Sequence, residues 1–69
     1  MKLSARNQLP ATVTSVNKGA AIANVELDVN GQRIVASITV EAVEQLGIAE
    51  GKSVIAIVKA SDVILATED

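Results

Sequence analysis

Asn30-Gly31 separates two runs of alternating apolar and polar residues, and this dipeptide constrains the fold more than any other feature. Both residues tolerate positive φ, so together they form the two-residue turn of a β-hairpin. Ahead of it, Val25, Leu27 and Val29 alternate strictly with Glu26 and Asp28 in a strand that begins near Ile22. Behind it, Ile34, Ala36 and Ile38 share one face, and Arg33, Val35, Ser37 and Thr39 share the other. A period of two with a charged face and an aliphatic face describes antiparallel strands over a one-sided core.

The remaining elements fall on either side of this hairpin. The β-branched run Thr12–Val16 predicts an extended segment, although its alternation is not clean. Asn17–Ala20, "NKGA", places a glycine where a second hairpin turn is needed. In "TVEAVEQLG", Val40, Val43 and Leu46 recur at helical spacing. Thr39 is the expected N-cap and Gly47 the expected C-terminal stop, with Glu41 in the first turn. Ala49–Lys52 reads as a turn. Ser53–Ala60 reads as a fourth strand apolar on both faces, and Ser61–Ala66 as a fifth, ahead of a loose polar tail. The predicted order is therefore β-β-β-α-β-β, with no internal repeat. An all-β, five-stranded OB-like barrel with one short helix between strands 3 and 4 fits this order, and a split α+β sheet is the alternative.

Composition decides what such a body lacks. A chain of 69 residues forms a single domain, residues 1–69, with little core of its own. It has no cysteine for a disulfide or thiolate metal site, and no histidine to serve as ligand or base. Yet 49% of its residues are hydrophobic and none is aromatic. An aliphatic excess of that size implies self-association through an apolar interface. A net charge of −2 and the lack of aromatic stacking platforms argue against nucleic-acid binding. No apolar run is long enough to span a membrane, and no signal peptide is expected, which makes the cytoplasm the expected location.

The same inventory argues against an enzyme, because without His or Cys a triad could use only Ser or Thr with Lys, and no carboxylate pair or metal-ligand spacing stands out. Binding is left. Two stretches concentrate donors without an internal acid: "SARN", Ser4–Asn7, and "KAS", Lys59–Ser61. The helix start at Thr39 and Val40 adds a hydroxyl and backbone N–H groups. A guanidinium, an ammonium, hydroxyls and amides are what a desolvated small oxyanion requires. Each residue also has a purely structural use. Arg6 and Lys59 can be solvated surface charges, Thr39 only a cap, and Asn7 and Gln8 can close backbone gaps at a sheet edge.

The stretches "SARNQLPATVTSV", "KGA" and "ASITVEAVEQLGIAEGKSVIAIVKASDVILA" closely resemble the molbindin, or Mop-domain, family over essentially the whole chain. The resemblance implies a five-stranded OB-like barrel that assembles as a homo-hexamer, a trimer of dimers. It implies binding of molybdate, and of tungstate, between subunits for molybdenum storage and homeostasis, with no organic cofactor and no directly coordinated metal ligand. Carried onto this chain, the principal oxyanion site comprises Ser4, Ala5, Arg6, Thr39, Val40, Lys59, Ala60 and Ser61. A second, weaker site falls on the first hairpin at Lys18, Gly19, Ala20 and Ile22. One departure stands out: the family's helix often carries a serine three residues after the threonine, and here that position is Ala42. The departure motivates an alternative, an OB-like assembly module derived from a molybdate-responsive regulator or importer, with weak anion binding or none.

Overall fold

In the computed structural model, which describes residues Met1–Asp69, four strands form one antiparallel sheet in the order β3-β2-β1-β4. They are β1 (Asn7–Lys18), β2 (Ile22–Val29), β3 (Gln32–Thr39) and β4 (Ser53–Val58), with helix α1 (Val40–Leu46) between β3 and β4. The Asn30-Gly31 turn joins β2 to β3 with φ of 52° and 86°, and its flanking residues Val29 and Gln32 pair directly.

β1 extends well beyond the β-branched run Thr12–Val16, because its two halves pair with different partners. Asn7–Thr12 pairs with β4, and Thr12–Lys18 pairs with β2. This division explains Pro10, which lies in an interior strand but in the half that β2 does not reach. Its missing N–H therefore breaks no ladder. The register shifts between Val13 and Ser15, so Thr14 is an extra residue in a β-bulge. A bulge bends and twists its strand, and here it also exchanges which side chains face inward. Val13 is buried, and beyond the bulge Val16 packs against the same core.

The core is small and aliphatic: Ala11, Val13, Ala23, Val25, Leu27 and Val43 are buried, with Ile34, Ala36, Ile38, Ile48, Val54 and Ala56 packed around them. Val43 pins α1 to the sheet at 1% exposure. Thr39 caps the helix, its hydroxyl oxygen accepting from Ala42 N–H, and Gly47 stops it at φ 64°. Ile48 N–H then bonds Val43 carbonyl at 2.9 Å, the closing bond of a left-handed C-cap, and Lys52 Nζ donates to the Leu46 carbonyl.

Three expectations need correction. The segment Ser61–Ala66 is not a fifth strand: Ala60–Asp62 forms one 3-10 turn, and no sheet pairing follows it. An apolar run becomes a strand only when a sheet edge lies alongside it, and this segment meets none within its own chain. β4 is not buried on both faces: Val54, Ala56 and Val58 are half-buried, but Ile55 and Ile57 are exposed because nothing covers the outer face of this edge strand. Leu46 is 60% exposed, since a helix of seven residues carries it past the sheet it packs on. The helix instead uses Val40, Val43 and the following Ile48 for contact with the core.

Candidate oxyanion site

The β1–β4 ladder builds the first half of the site. Its last rung pairs Asn7 with Val58. Continuing that register sets Arg6 beside Lys59, where the two donor-rich stretches leave the sheet together. The chain then bends at Ser4 on one side and turns through Ala60–Asp62 on the other. Stretches from opposite ends of the sequence thus leave the sheet side by side through strand register alone.

The electrostatics of this end are simple. The chain has one ion pair, Arg33 with Glu26, far along the sheet. Arg6 and Lys59 have no acidic partner, and Asp62 in the turn pairs with neither. None of the turn and loop backbone hydrogen bonds is donated by Ser4, Ala5, Arg6, Lys59, Ala60 or Ser61. Two carboxamides border the cluster. Asn7 Nδ2 donates to the Val58 carbonyl at 3.1 Å, and Gln8 Nε2 donates to the Ala5 carbonyl at 3.4 Å. Apart from half-buried Ala5, the six candidate residues here are exposed.

Thr39 and Val40 do not join them. Thr39 pairs with Ile22 at the end of β2, and Ala23 pairs with Lys18 at the far end of β1. A strand advances about 3.3 Å per residue, so the 12 residues of β1 separate Thr39 from Arg6 by most of a strand's length. The structure instead gathers Thr39 and Val40 with the first hairpin. Val40 N–H donates to the Ala21 carbonyl at 2.8 Å, so this N–H is already engaged, contrary to a free helix-start donor. Thr39 Oγ1 accepts from Ala42 N–H at 3.0 Å, which leaves its hydroxyl proton free to donate. In the hairpin, Gly19 N–H bonds the Ile22 carbonyl at 2.8 Å. A Cβ on Gly19 would lie 3.0 Å from that same oxygen, which is why the turn takes a glycine.

The outer face carries a separate polar group. Ser15 Oγ donates to Glu26 Oε2 at 2.6 Å, and Arg33 Nε donates to Glu26 Oε1. Thr14, the bulged residue, donates to the Glu26 carbonyl at 3.2 Å. The Ser15 hydrogen bond, followed by Arg33, holds the Glu26 carboxyl below its ordinary range. No group of His, Cys, Asp and Glu gathers as a metal site.

Residues 3–65 match the TOBE domain family. "Molybdenum-pterin-binding protein 2" of Clostridium pasteurianum is 41% identical over 66 residues, covering 94% of this chain and 97% of that one. The chain belongs to the molbindin family. Its fold superposes on a molybdate-binding protein from Sporomusa ovata with a TM-score of 0.93 at 39% identity, covering 97% of this chain and all of the other. A cytoplasmic molybdate-binding protein, ModG, solved with molybdate bound, matches with a TM-score of 0.88 at 45% identity, covering 93% of this chain and 46% of its own. As a molbindin, the chain presents two donor clusters at opposite ends of one long strand. It has no helix long and apolar enough to cross a membrane.

Proposed function

We propose that this molbindin binds molybdate, and tungstate in its place, as a cytoplasmic storage and buffering protein for molybdenum. The observation that carries the reading is that the β1–β4 register ends at Asn7–Val58, directly next to the SAR stretch on one strand and the KAS stretch on the other, with Arg6 and Lys59 in no ion pair. A dianion supplies the charge that this end lacks, and hydroxyl and amide donors occupy its oxygens. Binding and release make and break no covalent bond, so the role is binding rather than catalysis. The molybdate-bound relative and the Clostridium protein of molybdenum-binding name support the choice of anion.

The site is shared between subunits of a homo-hexamer, a trimer of dimers. Ser4, Ala5, Arg6, Lys59, Ala60 and Ser61 come from one chain, and Thr39 with Val40 from another. Their separation along β1 favours this division, because one chain does not bring both clusters to one anion. The first hairpin, Lys18–Ile22, lies beside Thr39 and forms the second, weaker site. Ile64 and Leu65, 92% and 87% exposed, complete a fifth strand on another subunit's open sheet edge. Burying each is worth roughly 2 kcal/mol. The whole chain, residues 1–69, acts as one domain in this assembly.

Calorimetric titration with molybdate and tungstate, alongside thermal unfolding, tests the reading. Heat on mixing and a rise in Tm that grows with anion concentration are expected. A flat titration with an unmoved Tm overturns it and leaves the assembly module as the better description.

A further inference from the structure

We infer that Asn7 is a positioning residue of the oxyanion site: its carboxamide adds a side-chain link from β1 to Val58, the residue that leads into the KAS segment, and so holds that segment beside Arg6. The inference rests on the binding function proposed above. Asn7 stands on the last rung of the β1–β4 ladder, next to Arg6, and Val58 precedes Lys59. Beyond this rung the backbone ladder stops. The bond from Asn7 Nδ2 to the Val58 carbonyl, 3.1 Å and partly buried, reinforces this last rung with a side-chain link. That link joins the two stretches that carry the cations, so their spacing depends on it.

The bond also determines which polar atoms remain near the cluster. A carbonyl oxygen beside a dianion is repulsive unless a donor engages it. Asn7 engages Val58, and Gln8 engages Ala5. Successive residues of a strand point to opposite faces, so the two carboxamides serve the two segments separately. One reaches across to β4, and the other bends back over the N-terminal stretch. The N–H groups of those segments take no part in the chain's loop hydrogen bonds. The Lys59 and Ala60 carbonyls accept from Asp62 and Val63 N–H within the turn, so the cluster offers donors while four of its carbonyls are engaged. The Gln8 bond is longer and exposed, so its contribution is the smaller one.

The test is molybdate titration of the assembled wild-type protein and of Asn7→Leu, Asn7→Gln and Gln8→Leu, with Tm recorded for each without anion. Asn7→Leu retains the volume without the donor. It is expected to bind molybdate five- to tenfold more weakly, the effect of one lost hydrogen bond. Asn7→Gln retains a donor on a longer arm and recovers part of the loss, and Gln8→Leu loses less than threefold. If Asn7→Leu does not fold, Asn7→Ser, too short to reach Val58, takes its place with the same expected loss. An Asn7→Leu protein with lowered Tm but wild-type affinity gives Asn7 a structural role only and overturns the inference, leaving the oxyanion reading intact. Wild-type protein that binds no molybdate overturns both.

Discussion

Thr39 Oγ1 accepts a hydrogen bond from Ala42 N–H at 3.0 Å, and this one contact couples the helix cap to the proposed site. The cap uses an oxygen lone pair, so the hydroxyl proton is free for a ligand. Thr39→Ala removes both functions and is expected to cost about 1 kcal/mol of stability together with anion affinity. Thr39→Asp separates them. Aspartate caps as well as threonine, but it places a carboxylate where a dianion is to bind. Unfolding of Thr39→Asp is expected at the wild-type temperature while molybdate titration shows binding lost. Thr39→Asp with wild-type affinity removes Thr39 from the site.

Glu26 gives the sheet a dependence on pH with a definite sign. Its ordinary value is 4.5, and the Ser15 hydroxyl and the Arg33 guanidinium lower it in the fold. A carboxyl whose pKa is depressed by folding contributes stability above its unfolded value, and that contribution disappears as pH falls through the folded value. The wild-type protein is therefore expected to lose stability on acidification below about pH 4.5 more steeply than Glu26→Gln. Unfolding midpoints in denaturant between pH 7 and pH 3 measure this, and parallel curves for the two proteins refute it. The effect is modest, because the group is close to solvent and salt screens it.

Val43 is the single helix residue at 1% exposure, and it joins α1 to the core formed by Val13, Val25 and Leu27. Val43→Ala removes two methyl groups from a site that cannot fully collapse and is expected to destabilise by about 2 kcal/mol. Since Ile48 bonds to the Val43 carbonyl rather than to its side chain, the helix stop remains. The checkable outcome is a lower denaturation midpoint with an unchanged slope, together with an unchanged circular dichroism spectrum.

How far the sequence discloses this fold differs from element to element. β2, β3 and their turn are legible because Asn30-Gly31 fixes the register and both strands alternate without interruption. β1 is not, since the bulge at Thr14 moves the inward face from Val13 to Val16 and destroys the period of two. The fifth strand reads as a strand because Val63, Ile64 and Leu65 are apolar, but pairing needs an edge that this chain does not place beside them. The site behaves in the same way. Donors without acids announce an anion at Arg6 and Lys59. That both follow the last β1–β4 rung, and that Thr39 lies at the other end of β1, is a consequence of register, which residue types do not encode. The engagement of Val40 N–H by Ala21 is likewise a matter of where the first hairpin lies.

The C-terminal segment provides the sharpest test of shared sites. All six buried residues lie between Ala11 and Val43, so the core of the single chain owes nothing to Val63, Ile64 or Leu65. Ile64 and Leu65 are nonetheless almost fully exposed, and with half-exposed Val63 they form a contiguous apolar stretch of the kind that marks an interaction surface. The double substitution Ile64→Asp with Leu65→Asp is expected to leave the four-stranded sheet folded, because it touches no core contact. It is expected to abolish assembly, because two carboxylates are too costly to bury in an apolar interface. Light scattering reads the mass directly, and molybdate titration of the same sample reads the site. If the proposed shared site is right, a fall from the mass of the assembly to that of one chain accompanies loss of anion binding, since the Thr39 and Arg6 clusters of different subunits are then separated. A double variant that stays assembled and binds molybdate as tightly as wild type removes the C-terminal strand from the interface; one that dissociates yet still binds tightly places the whole site on one chain.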